Sequence, residues 1–165
     1  MDLAQDQASR LRHMWLLSIK ESNMRRKEDH SVGKVNMHLL LYCRVGIGYH
    51  LQIQPNGTVS GVHEPTKHTW LKMFAVKPGV VGIRGVKSRL YLCMNREGIA
   101  QGMTNFSPDC LFKEHQEENH YTTYSSATHP GLYLALSHRG HLRRGGLVGQ
   151  HHSSSHFLPR KVSVS

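Results

Sequence analysis

The stretch GYHLQIQPNGTVSG (48–61) recurs twice in altered form, as RLYLCMNREGIAQG (89–102) and as GLYLALSHRGHLRRG (131–145). Each version has an aromatic–leucine strand, a polar turn that ends in glycine, and a second glycine four or five residues later. Leu51, Leu92 and Leu134 hold the same place in the three versions, at intervals of about 40 residues. Glycine supplies the positive φ that a tight turn requires, so each version predicts a β-hairpin.

Further strand-like runs lie between the hairpins, and helical periodicity is absent there. A unit of about 40 residues is too small to bury its own apolar face, so three such units are expected to close on one another. The sequence therefore predicts an all-β fold, a β-trefoil of about twelve strands with pseudo-threefold repeats. The predicted core residues are Leu51, Leu92, Leu134, Val81, Ile83 and Phe157.

The repeats set the predicted domain boundaries. We expect a flexible N-terminal extension over 1–40, the trefoil domain over 41–160, and a C-terminal tail over 161–165. The apolar run MWLLSI (14–19) is short for a signal core and lacks a small-residue cleavage site, which predicts no cleavable signal peptide. No apolar run reaches 18 residues, so membrane insertion is not expected.

The charge of the chain is strongly basic and unevenly spread. Lys and Arg number 21 against 11 acidic residues, giving +10 before any of the 14 histidines is counted. No acidic residue follows Glu118, so the C-terminal part carries an uncompensated excess of basic side chains. This pattern favours a polyanionic partner, and on charge alone nucleic acid, anionic lipid and sulfated glycan all remain open.

Cys43, Cys93 and Cys110 are odd in number, widely spaced and without a CxxC pair. This spacing does not predict a disulfide framework, so stability is expected to come from packing. Cysteines in such settings usually behave as small buried hydrophobes.

Catalytic motifs are absent from the sequence, and GVVGIRGV has the character of a strand rather than of a phosphate-binding loop. With 14 histidines some pairs are inevitable, and pairs such as His138 with His141 lack the cysteine or carboxylate partners of zinc sites. We therefore predict no enzyme, no cofactor and no metal site.

Five stretches occur in order between Leu41 and Arg160: LYCRVGIGYHLQIQPNGTVSG, GVVGIRGVKSRLYLCMN, CLFKEHQEENHYTTYSS, PGLYLALS and HFLPR. Each resembles the fibroblast growth factors at the corresponding place. The set is most similar to the paracrine heparin-binding subgroup of fibroblast growth factors four to six. Five stretches in order on a threefold repeat are far more specific than one short motif.

The resemblance implies an extracellular growth factor ligand that binds and activates a fibroblast growth factor receptor tyrosine kinase, with heparan sulfate or heparin as co-receptor. The receptor-binding residues that it implies are Tyr42, His63, Glu114, Asn119, Tyr121, Leu158 and Arg160. Exposed tyrosine, leucine and arginine suit such an interface. Taken alone, Tyr121 equally suits an ordinary strand position and Leu158 a core position.

The resemblance also implies a heparin-binding surface on the loop 137–155, approached by Arg44 from the first repeat. Its implied residues are Arg44, His138, Arg139, Arg143, Arg144 and His152. Guanidinium groups hold sulfates as planar forks and release counterions on binding. His138, His141, Leu147 and Ser153 stand where relatives tend to carry Lys or Arg, which predicts weaker glycan binding at neutral pH.

Two other function classes are compatible with parts of the sequence. An intracellular homologue that binds a channel or another cytoplasmic protein is favoured by the missing signal peptide and by the RRK tract (25–27), and HFLPR argues against it. A nucleic-acid-binding module is favoured by charge alone. The basic loop lacks the aromatic platforms on which bases stack, so nucleic acid is not an expected partner.

Overall fold

A computed structural model describes residues 36–164. This part of the chain contains ten β-strands, three short 3-10 turns and no α-helix, which confirms the all-β prediction. The strands are β1 (Asn36–Cys43), β2 (Tyr49–Ile53), β3 (Val59–Val62), β4 (Leu71–Lys77), β5 (Val80–Gly85), β6 (Tyr91–Met94), β7 (Ala100–Met103), β8 (Phe112–Gln116), β9 (Thr122–Ser126) and β10 (Phe157–Val164). The 3-10 turns are Pro108–Cys110, Gly145–Leu147 and Ser153–Ser155.

Six strands close into a barrel. β1 pairs with β10 on one side and with β4 on the other, and β4 continues to β5. β5 pairs with β8, β8 with β9, and β9 with β10, which completes the ring. All of these pairs are antiparallel, and together with the hairpins they give the predicted β-trefoil.

The three repeats form the hairpins that cap this barrel. β2–β3 is the first hairpin and β6–β7 is the second. The third is less regular, because its strands meet through the single bridge between Leu136 and Leu142. Ladder-like bonds nevertheless flank the bridge, from Ser137 N–H to the His141 carbonyl (2.7 Å) and from Arg143 N–H to the Ala135 carbonyl (2.9 Å). The structure therefore has ten regular strands over residues 36–164, where the sequence predicted about twelve.

The two glycines of each repeat connect neighbouring hairpins through backbone hydrogen bonds. The turn glycine of one hairpin accepts a backbone hydrogen bond from the second glycine of another. The bonds run from Gly102 N–H to the Gly57 carbonyl (2.8 Å), from Gly145 N–H to the Gly98 carbonyl (2.8 Å), and from Gly61 N–H to the Gly140 carbonyl (2.7 Å).

A side chain at a turn glycine would prevent this approach. A Cβ atom at Gly57 would lie 2.9 Å from the Gly102 carbonyl oxygen, and one at Gly98 would lie 2.9 Å from the Gly145 nitrogen. Both turn glycines also have a positive φ, of 90° and 82°. The spacing of glycines in the sequence is thus set both by turn geometry and by contact between the repeats.

The core lies inside the barrel and beneath the hairpins. Leu51, Leu92 and Leu134 are fully buried, one from each repeat, and the other predicted core residues are buried with them. The remaining large side chains with no exposed area include Tyr124, Phe112, Leu41 and Leu71.

A disulfide joins Cys93 on β6 to Cys110 at the end of a 3-10 turn, so stability does not come from packing alone, contrary to the expectation from the cysteine spacing. The pair belongs to a second apolar cluster that also contains Val80, Phe106 and Leu111. The cysteines are 17 residues apart, and closing a loop of this size stabilises a fold by about 3 kcal/mol. The two cysteines come together because the turn Pro108–Cys110 packs on β6, and the spacing of cysteines in the sequence does not indicate this contact.

Cys43 is free and fully buried, as predicted for a small hydrophobe. Its thiol donates a weak hydrogen bond to the Ser154 carbonyl, with Sγ 3.4 Å from the oxygen. Burial raises the pKa of Cys43 to about 11, so the thiol stays protonated at neutral pH.

Strands β1 and β10 pair along their whole length, from Asn36 opposite Val164 to Cys43 opposite Phe157. This ladder runs past the boundaries predicted at Leu41 and Arg160 into both flanking segments. The predicted extension up to residue 35 lies outside the described residues.

Substituting Gly140 by alanine tests the contact between repeats. Gly140 and Gly79 share a φ of +80°, so alanine at either position has the same backbone strain, about 1–2 kcal/mol. At Gly140 the new methyl group would also lie 2.9 Å from the Gly61 carbonyl oxygen, whereas at Gly79 it would meet nothing within 4 Å. We expect Gly140→Ala to lower the free energy of unfolding by about 1–3 kcal/mol more than Gly79→Ala, measured by urea denaturation. Equal losses would show that the close approach is unimportant.

Candidate functional site

The β1–β10 ladder places Tyr42 directly opposite Leu158. Cys43 and Phe157, the next residues on the two strands, are fully buried in the core. Because side chains alternate along a strand, Tyr42 and Leu158 lie on the outer face, and Leu158 is 39% exposed. Leu158 is therefore a surface leucine rather than a core residue.

His63 lies beside Tyr42 because both side chains meet Gly48. The Tyr42 hydroxyl occupies the space that a side chain at position 48 would fill. The Nδ1–H group of His63 donates to the Gly48 carbonyl at 2.9 Å. His50 packs its ring edge-on against Tyr42 at 5.4 Å and donates from Nδ1 to the His63 carbonyl at 2.8 Å. Tyr42 therefore lies between Leu158, opposite it on the ladder, and Gly48, whose carbonyl holds His63.

A second group of side chains surrounds His156, the residue before β10. The Nε2–H group of His156 donates to the Gln150 carbonyl at 2.7 Å, so Nδ1 carries the lone pair. Two donors point at this nitrogen, Arg44 Nε at 3.1 Å and Asn119 Nδ2 at 3.2 Å. The Tyr121 ring stacks on the imidazole at 6.2 Å, and the Arg44 guanidinium lies 5.3 Å from the centre of the Tyr121 ring.

The connection between β8 and β9 fixes Asn119 and Tyr121 relative to each other. The Asn119 side-chain oxygen accepts the Tyr121 backbone N–H at 3.1 Å. Glu117 N–H closes the turn by donating to the Tyr121 carbonyl at 2.7 Å, and His120 has a φ of +70°. Asn119 therefore has two roles, since its oxygen shapes the turn while its amide nitrogen reaches His156.

Glu114 and Arg160 lie on strands of the same barrel wall. The Glu114 carboxylate on β8 accepts a hydrogen bond from the Tyr124 hydroxyl at 3.2 Å. Arg160 is exposed on β10, two residues beyond Leu158 and opposite Leu40. Glu114 is therefore bonded to Tyr124 within the fold, whereas Arg160 is exposed on the same outer face of β10 as Leu158.

Tyr124 itself is fully buried. Burial raises the pKa of Tyr124 well above its ordinary value, and the charge of Glu114 and the hydrogen bond to it act in the same direction. The phenol is therefore protonated throughout the physiological range.

The basic loop begins at the turn of the third hairpin. His138 and Arg139 are exposed there, and the His138 carbonyl accepts the Tyr49 hydroxyl at 2.7 Å. Arg143 donates from Nη1 to the Ser154 hydroxyl at 3.4 Å, and Arg144 donates from Nε to the Glu97 carbonyl at 2.7 Å. Since both acceptors are uncharged, the two guanidinium charges are not neutralised by these contacts.

His152 is exposed near the end of the basic loop. Arg44, which the sequence grouped with this loop, contacts Tyr121 and also His156, the residue that follows the loop. His156 is not among the site residues predicted from the sequence. In the sequence it is marked only by its position next to the core residue Phe157, and that position does not indicate its contacts with Arg44 and Asn119, which are more than 30 residues away.

Comparison with known proteins identifies the family of this fold. The fibroblast growth factor family model matches residues 37–158, which is most of the chain.

The chain belongs to the fibroblast growth factor family. Human fibroblast growth factor 5 is 48% identical over 128 residues, covering 73% of this chain and 48% of that protein. Chicken fibroblast growth factor 4 is 42% identical over 120 residues, covering 73% of this chain and 62% of that protein. Fibroblast growth factor 4B of Xenopus laevis is 36% identical over 141 residues, covering 86% of this chain and 73% of that protein.

These relatives confirm the resemblance to the subgroup of fibroblast growth factors four to six. The chain spans about half the length of its fibroblast growth factor 5 relatives. Fibroblast growth factors are signalling ligands rather than enzymes, in agreement with the prediction of no catalytic site. Within residues 36–164 no helix is long and apolar enough to cross a bilayer, and no group of three or more His, Cys, Asp or Glu side chains has the geometry of a metal site.

The Tyr124 phenol makes stability sensitive to alkaline pH. Above about pH 10 tyrosine in the unfolded chain ionises, whereas buried Tyr124 keeps its proton. The folded state then holds more protons, so the free energy of unfolding falls by about 1.4 kcal/mol per pH unit for this group. We expect Tyr124→Phe to remove that part of the slope, measured by urea denaturation between about pH 10 and pH 11.5.

Cys43→Ala is the comparison variant, because Cys43 also keeps its proton on burial. The folded pKa of its thiol is about 11, so Cys43→Ala should reduce the slope below about pH 11 and match wild type above it, whereas Tyr124→Phe should reduce the slope on both sides of that pH. An unchanged slope in Tyr124→Phe would mean that the phenol ionises in the folded protein.

Proposed function

We propose that this chain is an extracellular growth factor ligand that binds the ectodomain of a fibroblast growth factor receptor tyrosine kinase and activates it, with heparan sulfate as co-receptor. The observation that carries the proposal is that Tyr42 lies opposite Leu158, two residues along the chain from Arg44 and His156, which contact Tyr121 and Asn119. Tyr42, Leu158, Tyr121 and Asn119 all belong to the implied receptor-binding set, and β1, β10 and the β8–β9 connection bring them to one side of the barrel.

The chemistry of this surface suits a protein partner. Leu158 offers exposed apolar area, and Tyr42 and Tyr121 each combine a large ring with a polar tip. Each ring is held by neighbours, Tyr42 against His50 and Tyr121 against His156, so little rotamer freedom remains to be lost on binding. Rigid aromatic and aliphatic anchors of this kind dominate the binding energy of protein interfaces.

Family membership supports the same conclusion. The relatives that match over most of this chain carry the names fibroblast growth factor 4 and fibroblast growth factor 5. The identity over the trefoil is high enough to carry the implied roles of Tyr42, Asn119, Tyr121 and Leu158 to this chain as a proposal.

The glycan-binding part of the proposal rests on the basic loop. Arg143 and Arg144 make hydrogen bonds only to uncharged acceptors among the contacts found for them in residues 36–164. No acidic residue follows Glu118 in the sequence, so the charged side chains of the loop itself are all basic. Sulfate groups would supply the missing counter-charge.

The receptor proposal is tested by truncating an anchor. We expect Leu158→Ala to weaken binding to a receptor ectodomain by about tenfold or more in the absence of heparin, measured by surface plasmon resonance. The matched control is Leu147→Ala, because Leu147 is 70% exposed but lies in the basic loop, and it should bind like wild type. Equal affinities of the two variants would refute the proposed surface.

The glycan proposal is tested by removing the two loop charges. We expect Arg143→Ala with Arg144→Ala to elute from heparin at lower salt and to flatten the dependence of log affinity on log salt by up to about two, one for each lost contact. Receptor affinity without heparin should not change. The control is Lys72→Ala with Lys87→Ala, which removes the same charge from exposed positions elsewhere. If this control lowers the elution salt equally, binding depends on total charge and not on the loop.

A further inference from the structure

His156 is a buried side chain at the junction of three chain segments. It is 4% exposed, and its ring contacts Arg44 after β1, Asn119 and Tyr121 between β8 and β9, and Gln150 in the loop before β10. Two of these partners, Asn119 and Tyr121, belong to the proposed receptor surface. His156 itself presents almost no area to a partner, so any effect it has on binding acts through its neighbours.

The hydrogen bonds require a neutral imidazole with one particular tautomer. The Gln150 carbonyl accepts the Nε2 proton, and the only lone pair of the ring, on Nδ1, accepts from both Arg44 Nε and Asn119 Nδ2. Arg44 and Asn119 have exposed positions and side chains with several rotamers. One buried acceptor therefore holds two surface donors in defined places.

We propose that neutral His156 is the positioning residue of the receptor surface, which holds Asn119 and the stacked Tyr121 ring in their binding arrangement, with Arg44 ordered beside them, and releases them when it is protonated. This inference rests on the proposed function and names a residue that governs the same surface. Ordering the two polar side chains before binding removes part of the entropy cost of association, worth about tenfold in affinity.

Protonation acts against this arrangement in two ways. An imidazolium donates from both nitrogens, so Nδ1 can no longer accept from Arg44 or Asn119. The new charge also lies beside the Arg44 guanidinium. The other titratable group that contacts the ring is the Tyr121 phenol, whereas Gln150 contributes a backbone carbonyl.

The sign of the pH effect follows from linkage. The binding arrangement requires the neutral ring, so the bound state holds fewer protons at His156 than the free state does in acid. Protonation of His156 is therefore expected to lower receptor affinity.

The first test compares three variants with the wild type. Receptor ectodomain binding without heparin is measured at about pH 7.4 and about pH 5.8. His156→Leu fills the buried site without an acceptor and should bind about tenfold more weakly at the higher pH, with a reduced pH response. His156→Gln offers an amide oxygen as acceptor, so it should stay within about threefold of wild type at the higher pH and lose the part of the pH response that depends on His156.

The matched control for loss of a histidine is His141→Gln, at an exposed position in the basic loop, which should keep the wild-type pH response. Thermal unfolding of each variant shows whether the fold is intact. If His156→Leu is folded and keeps both the affinity and the pH response of wild type, His156 is only a packing residue and the inference is overturned.

A second test needs no receptor. In nuclear magnetic resonance spectra of the free protein, the Asn119 side-chain amide and the Arg44 Nε–H signals should shift together with pH in wild type and not in His156→Gln. Identical signals in wild type and His156→Leu would overturn the inference. If wild type fails to bind the receptor at neutral pH, the proposed function fails, and these signals still decide whether His156 holds the two donors.

Discussion

The structure depends on backbone contact between glycines of neighbouring repeats. Each hairpin offers the carbonyl of its turn glycine to the N–H group of a glycine in another hairpin, at 2.7–2.8 Å in all three cases. The approach is possible only without side chains, because a Cβ atom at Gly57, Gly98 or Gly140 would lie within 3.0 Å of its neighbour. Three hairpins that are individually marginal thereby support one another, and the core leucines beneath them become fully buried.

Closure of the repeats also brings the ends of the domain together. β1 and β10 come from opposite ends of the described chain, yet they pair along their whole length. The inner side of this ladder supplies Cys43 and Phe157 to the core, and its outer side supplies Tyr42 and Leu158 to the surface. The core and the proposed receptor surface therefore use alternate residues of the same two strands, and the packed core behind that surface keeps it rigid.

The two proposed binding surfaces differ in how their charges are arranged. Around His156, Arg44 is held by a ring nitrogen and by the face of Tyr121, so its guanidinium is part of an ordered network. On the basic loop, Arg143 and Arg144 bond to a hydroxyl and a carbonyl, and their charges remain available to an anion. The first arrangement suits shape-specific contact with a protein, and the second suits attraction to a flexible polyanion.

Local sequence patterns predicted the hairpins, the turn glycines and the core leucines, because turn chemistry and strand alternation are local properties that repeat along the chain. The family was indicated by the resemblance of five stretches in order. The same resemblance implied the residues of the proposed receptor surface. The sequence did not predict that Cys93 meets Cys110, that the third hairpin has one bridge flanked by two backbone hydrogen bonds, or that Arg44 lies against Tyr121. Only the tertiary structure revealed His156, whose partners Arg44 and Asn119 are 112 and 37 residues away. The physical reason is that a local pattern fixes which face a side chain occupies, whereas closure of the barrel fixes which distant side chains it meets.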